Sequence, residues 1–146
     1  MKFLLISMIT FISFTTKAQT PELSVVEDSA KENNKNILLV FSGSDWCIPC
    51  IKMEKEIFEK EGFVNYAKQH LVIMHADFPR LKKHQLTKEQ VNRNQELAEK
   101  YNKQGAFPYT VLLDTDGKVL KAWDGLVASS PEEFVKQIQK ITGASN

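Results

Sequence analysis

Cysteine and histidine are scarce in this sequence: its 146 residues include two cysteines and three histidines. A structural zinc or copper site needs about four nitrogen or sulfur ligands, and a second cysteine pair is missing. His70, His75 and His84 show no paired metal spacing. We therefore expect no metal site, and any chemistry of Cys47 and Cys50 has to be their own.

An excess of charge of one sign is also lacking, because the formal net charge is +1 with neutral histidines. Such a balance gives no indication of a nucleic acid partner or of a membrane surface. No internal repeat, linker or glycine-rich phosphate loop is present. We expect no bound cofactor and no nucleic acid partner.

Long apolar runs are absent as well; the longest, from Phe3 to Phe14, follows Lys2 and is too short for a bilayer, which needs about 20 residues. A basic start, a short apolar core and small residues at Thr16 and Ala18 are typical of a secretory signal. We predict a signal peptide over 1–18 and one domain over 19–146, although a buried N-terminal helix is an alternative. No cysteine lies near the cut, so we expect a periplasmic or secreted protein without a membrane anchor.

The two cysteines lie close together, as Cys47-Ile48-Pro49-Cys50. Before them comes the apolar run Ile37–Phe41, which is typical of a strand buried on both faces. After them, apolar residues recur at helical spacing, Met53 and Ile57 among them. The pattern predicts Cys47 at or just before the start of a helix and Cys50 one turn inside it.

This placement predicts redox chemistry. Unpaired N–H groups and the helix dipole favour an anion at a helix start, so the Cys47 thiol should ionise more readily than a free thiol. The thiolate is the form that attacks disulfides. Residues three apart on a helix lie close enough for a disulfide, and Pro49 is tolerated in the first turn because no N–H is needed there.

Two other roles of the pair stay open at this point. A structural disulfide would close a very small loop and would constrain the unfolded chain little. A redox sensor or an assembly clamp would need the same reactive pair without turnover.

The rest of the chain alternates helices and strands. We predict a helix from Pro21 that ends near Asn33-Asn34, and a break near Gly62 in the helix that follows the cysteines. A buried strand should follow over Leu71–Asp77, with His75 satisfied in the sheet. A capping box at Thr87 should then open another helix. An antiparallel hairpin turns at Asp114–Gly117. A second capping box, Ser130-Pro131-Glu132-Glu133, begins a last helix with Phe134, Ile138 and Ile141 facing inward. This order predicts an α/β/α sandwich with a central mixed β-sheet flanked by helices.

Between the second strand and the Thr87 helix lies a basic segment, with Arg80, Lys82, Lys83, His84, Lys88 and Arg93 and only Glu89 opposing them. We interpret it as a solvated loop, or as a docking face for an acidic partner.

The motif Trp46-Cys47-Ile48-Pro49-Cys50 after an apolar strand, with Pro108 opening a later strand, resembles the active site of the thioredoxin superfamily. Gly43-Ser44-Asp45 before it and Lys52-Met53-Glu54 after it are similar to secreted bacterial thioredoxin-like proteins. The likeness runs from about Glu22 to Thr142. It implies a thioredoxin fold.

The resemblance also implies roles for particular residues. Cys47 would be the exposed nucleophile and Cys50 the thiol that resolves the mixed disulfide. Pro108 would follow a cis peptide bond, and the Phe107 backbone would be free to pair with an extended substrate. The substrate groove would be shaped by Trp46, Ile48, Pro49, Phe107 and Pro108.

The implied function is a thiol–disulfide oxidoreductase, a reductase or isomerase, that exchanges disulfides with exported proteins and is recycled by a redox partner protein. We expect a monomer. A non-catalytic thioredoxin-like module that binds or senses is the alternative. One departure concerns proton transfer, because thioredoxins carry a buried acid in the strand before the motif and Ile37–Phe41 has none. Glu54, Asp45 or a water molecule are the candidates to replace it.

Overall fold

A four-stranded mixed sheet runs through the protein, for which a computed structural model describes residues 21–144. The strands are β1 (Asn36–Ser42), β2 (Leu71–Asp77), β3 (Tyr109–Leu113) and β4 (Val119–Asp124), in the spatial order β2-β1-β3-β4. β1 is parallel to β2 and antiparallel to β3, and β4 is antiparallel to β3. The predicted signal peptide lies outside the described residues.

Within residues 21–144, five α-helices surround the sheet. They are α1 (Pro21–Glu32), α2 (Ile48–Met53), α3 (Glu61–His70), α4 (Lys88–Tyr101) and α5 (Pro131–Thr142). A π-helical turn (Glu54–Phe58) continues α2, and a 3-10 turn (Lys82–His84) precedes α4. In the part of the chain described, no helix is long and apolar enough to cross a membrane.

Successive side chains of β1 enter different cores, because neighbouring residues of a strand point to opposite faces. Leu38 and Val40 pack with residues of α3 and α5, such as Phe63 and Phe134. Ile37, Leu39 and Phe41 pack on the other face with residues of α1 and α4, among them Leu23 and Leu97. The predicted helix–sheet–helix sandwich is confirmed, with β1 in its centre and the end of β1 leading into the cysteine motif.

The turns and helix starts largely follow the sequence signals. Thr87 forms the complete capping box with Gln90, and Gly117 N donates to Asp114 O in the hairpin turn with a φ of 75°. Ser130 caps α5 by accepting from Glu133 N, but the Glu133 carboxylate bonds Ser129 rather than Ser130. The second capping box is therefore only half formed.

Three expectations about burial and helix continuity are wrong. β2 is an edge strand rather than a fully buried one, and Ile73 and His75, on the same face as the buried Leu71, are exposed. The helix after the motif does not continue as an α-helix, because residues Glu54–Phe58 adopt π geometry. The helix then ends at Glu59-Lys60. Ile141 is exposed near the C-terminal end of α5, while Phe134 and Ile138 are buried as predicted.

Candidate active site

The two cysteines lie where the motif predicts them. Cys47 is the N-cap of α2 in an extended conformation, and its Sγ accepts the Cys50 backbone N–H at 3.3 Å. Pro49 occupies the first turn, and Cys50 lies inside the helix, joined to Cys47 by a disulfide of 2.04 Å. Cys47 Sγ thus lies against a backbone N–H at the start of a helix, a position that favours a thiolate.

Exposure at the motif differs from the expectation. Cys47 and Cys50 are each only 4% exposed, so the prediction of an exposed Cys47 is wrong for this disulfide form. The sulfurs are engaged with each other and with the first turn of α2 rather than with solvent. Between them, Ile48 is 77% exposed and Pro49 is exposed, so the tip of the motif is apolar and accessible.

Trp46 is held by an aromatic cluster beside the cysteines. Its Nε1–H donates to Phe78 O at 2.7 Å, and its ring meets Phe107 edge-on with centroids 5.5 Å apart. Phe107 in turn contacts Phe78 edge-on at 5.4 Å. Arg80 completes the arrangement with its guanidinium carbon 3.7 Å from the centroid of the Trp46 ring. The cluster fixes Trp46 next to Cys47.

Asp45 fastens the basic segment to the motif. Its carboxylate accepts the backbone N–H groups of Arg80 and Leu81, each at 2.9 Å, and lies 3.1 Å from Nδ1 of His84. The hydrogen bonds from Arg80 and then from Leu81 and His84 lower the pKa of Asp45, against the effect of burial. The Asp45 side chain is only 3% exposed, so it serves as an internal clamp rather than as a negatively charged surface.

Asp77, at the end of β2, binds the loop that leads from β1 to the cysteines. Its carboxylate accepts Ser44 N at 2.8 Å and the Ser44 hydroxyl at 2.6 Å, and the Ser42 hydroxyl is 3.3 Å away. Both of its oxygens are therefore occupied by groups of the loop that carries the cysteines.

A cleft of about 310 Å³ opens behind the disulfide. Cys50, Glu54 and His75 line it, together with Ser42, Ser44, Ile51, Lys55, Glu59 and Asp77. Burial raises the pKa of Glu54; Glu59 adds to the rise and His75 opposes it. The cleft therefore places an acid with a raised pKa and the second cysteine in one cavity.

The structure separates the candidates for the missing buried acid. Asp45 is bound on both oxygens by the basic segment, and Asp77 by Ser42 and Ser44. Glu54 shares the cleft with Cys50 and lies one helical turn after it. Of the acids considered from sequence, Glu54 is the one that lines the cleft together with Cys50.

Phe107 and Pro108 lie at the same end of the sheet as the cysteines, because Tyr109 pairs with Phe41 at the end of β1. The Phe107–Pro108 peptide bond is cis, as the resemblance implied. Of the five predicted groove residues, Trp46 and Phe107 are in direct contact, Ile48 and Pro49 form the exposed tip, and Pro108 is buried.

Sequence reasoning missed Phe78 and the two clamps formed by Asp45 and Asp77. An aromatic residue directly after a strand that leads toward the motif was the available signal for Phe78. Among the described residues, no three His, Cys, Asp or Glu side chains are grouped so as to hold a metal ion.

Comparison with known proteins identifies the family of this chain. Residues 23–142 match the thioredoxin-like domain family. The disulfide bond reductase DsbH of Chlamydia pneumoniae is 43% identical over 93 residues, which are 64% of this chain and 54% of that protein. The chain thus spans about half the length of this curated relative.

Solved structures show the same fold. A structure of a DsbH oxidoreductase superposes with a TM-score of 0.75 at 30% identity, covering 91% of this chain and 96% of that chain. A disulphide isomerase from Xylella fastidiosa Temecula1 has a TM-score of 0.60 at 20% identity, over 92% of this chain and 99% of that chain. The second likeness shows the fold alone.

Proposed function

The chain belongs to the thioredoxin-like domain family, with the fold and cysteine pair of a thiol–disulfide oxidoreductase, and we propose that it reduces disulfides in exported proteins. The observation that carries this proposal is Cys47 at the N-cap of α2, with its Sγ accepting the N–H of Cys50. This environment favours the thiolate once the disulfide is reduced.

The reaction starts from the dithiol form. The Cys47 thiolate attacks one sulfur of a substrate disulfide, and the other substrate sulfur leaves as a thiolate that takes a proton from solvent. Cys50 then loses its proton and attacks Cys47 Sγ, which releases the second substrate thiolate and forms the Cys47–Cys50 disulfide. Two electrons pass to the substrate, and a dithiol redox partner restores the starting form.

Glu54 is the group we assign to the proton of Cys50. A carboxyl whose pKa is raised by burial is closer to the working pH, which makes it a better proton acceptor for a thiol. It shares the cleft with Cys50, while Asp45 and Asp77 are occupied elsewhere.

Substrate binding is assigned to the surface around Trp46, with Ile48 and Pro49 at its tip and Phe107-Pro108 beside it. In the described part of the protein, no other residue bonds the backbone N–H or carbonyl of Phe107. These groups are therefore available to an extended substrate segment, as in strand addition.

The name of the Chlamydia relative, a disulfide bond reductase, supports reduction as the direction of exchange. Residues 1–18 have the composition of a cleavable signal, which supports a periplasmic or secreted location and substrates that are themselves exported.

Reduction of insulin disulfides by a small dithiol, followed as turbidity, tests the proposal. The protein without residues 1–18 should accelerate precipitation, and Cys47→Ser should abolish the acceleration. No acceleration with any dithiol would leave a binding or sensing module instead. Equilibration with glutathione buffers then gives the reduction potential of the Cys47–Cys50 pair. A difference of 30 mV in that potential corresponds to about 1.4 kcal/mol for this two-electron couple.

A further inference from the structure

One side of the cysteine motif carries a concentrated positive charge. Arg80, Lys82, Lys83 and Lys88, which we call the basic rim, are all exposed. Within the part of the chain that the structure describes, none of the three lysines forms an ion pair with a carboxylate. Residues 79–93 contain one acid, Glu89, so the rim is not neutralised by its own segment.

The rim is held against the motif rather than left as a mobile loop. Asp45 accepts the N–H groups of Arg80 and Leu81, and Arg80 lies over the ring of Trp46. Trp46 directly precedes Cys47, so only the Trp46 ring separates the first cation, Arg80, from the residue that carries the nucleophile. The carboxylate that holds them is nearly buried, so it is not presented to a partner at the surface.

Charges on the other side of the motif are mixed. Lys52 pairs with Glu56 at 3.7 Å, and Lys55 is followed by Glu56 and Glu59. The tip itself, Ile48-Pro49, is uncharged. A polypeptide that crosses the motif therefore meets a positive surface on the Arg80 side and no comparable surface on the α2 side.

We propose that the basic rim docks an acidic segment of the substrate polypeptide that flanks the disulfide to be reduced. The proposal rests on the proposed function and adds the class of substrate. Complementary charge at the edge of an interface acts mainly on the association rate and weakens as salt rises. The acidic segment would lie over Lys82 and Lys83, and its cystine would lie at Cys47.

Three disulfide-linked peptide dimers of equal length test the proposal, with the single cysteine flanked by glutamates, by lysines or by serines. We expect the reduced wild-type protein to reduce the glutamate peptide about tenfold faster than the serine peptide at low salt. The lysine peptide should be the slowest, and the preference should shrink at high salt.

Lys82→Glu/Lys83→Glu should remove the preference for glutamate and leave the rate on the serine peptide within about twofold. The lysines are preferred to Arg80 for this change because Arg80 also contacts Trp46. The matched control is Lys118→Glu/Lys121→Glu, two exposed lysines on the β3–β4 hairpin. It should keep the preference of the wild type.

Equal wild-type rates on the three peptides, or a preference that survives Lys82→Glu/Lys83→Glu, would overturn the docking proposal and leave the oxidoreductase intact. Reduction of none of the peptides would overturn both. If the control Lys118→Glu/Lys121→Glu also loses the preference for glutamate, the preference comes from the net charge of the protein and not from the basic rim. That outcome would contradict the proposal as well.

Discussion

The guanidinium carbon of Arg80 lies 3.7 Å from the centroid of the Trp46 ring, although the two residues are far apart in sequence. Around this pair, Trp46 Nε1–H bonds Phe78 O and Asp45 bonds the backbone of Arg80. The segment that follows β2 is thus bound to the loop that precedes the cysteines. The shape of the surface beside Cys47 depends on these contacts.

Asp45→Asn should loosen this attachment. The amide keeps one acceptor oxygen where the carboxylate has two, so it cannot hold Arg80, Leu81 and His84 together. We expect a thermal midpoint about 2–6 °C lower and slower disulfide exchange. Asp116→Asn removes only an exposed ion pair with Lys31 and should change the midpoint little.

The stabilising effect of Asp45 should also depend on pH. Because its pKa is lowered in the folded protein, its contribution is present above the unfolded value of about 3.9 and is lost as the pH falls through the folded pKa. The difference in urea midpoint between wild type and Asp45→Asn should therefore be constant near neutral pH and shrink in acid. A difference that grows in acid would contradict this assignment.

Gly43→Ala should disturb Trp46 directly. A methyl group on Gly43 would overlap Cε2 of Trp46, so the indole has to move away from Phe78 O. We expect a loss of about 1–3 kcal/mol in the free energy of unfolding and slower exchange. The control is Gly62→Ala, where the nearest atom is the flexible end of Glu132 at 3.1 Å. Equal stability of Gly43→Ala and wild type would show that Trp46 is not held as described.

Glu54→Gln tests the proton acceptor assigned to Cys50. The release of substrate from the mixed disulfide should slow by about tenfold or more near neutral pH, while the first attack by Cys47 changes little. The pH profile of release should lose the limb that lies above the usual glutamate pKa of about 4.3. Glu56→Gln, an exposed neighbour, is the control. An unchanged profile in Glu54→Gln would assign the proton to water.

The roles of the two cysteines make a further prediction. Cys50→Ser should accumulate mixed disulfides with substrate proteins through Cys47, because the resolving thiol is missing. Cys47→Ser should accumulate none. Both are read on non-reducing gels after alkylation. Trapping by Cys47→Ser and not by Cys50→Ser would reverse the assignment.

The parts of the site that sequence predicts are those set by neighbouring residues. The apolar run Ile37–Phe41 predicts β1, and the helical spacing after the cysteines predicts α2. The positions of Cys47 and Cys50 at the start of that helix therefore follow from local patterns. The Thr87 cap and the Asp114–Gly117 turn are local in the same sense. Pro108 beside the motif is different, because its role came from the family resemblance and not from its neighbours.

The parts that sequence does not predict depend on contacts between distant segments. Asp45 contacts residues 35 or more positions later, and nothing in its neighbours identifies Arg80 or Leu81 as partners. The π-helical turn cannot be predicted from the sequence either, because an apolar spacing of three to four residues fits a π-helical turn and an α-helix equally well. The edge position of β2 had a signal in His75, a polar residue between Met74 and Ala76.

The rate of alkylation of Cys47 in the reduced protein, measured against pH with the modified residue identified by mass spectrometry, tests the central claim most directly. A thiolate stabilised at the start of α2 predicts faster alkylation than free cysteine at neutral pH and a midpoint below the ordinary thiol pKa of about 8.5. Alkylation of Cys47 no faster than that of free cysteine, with a midpoint at or above that value, would contradict the account.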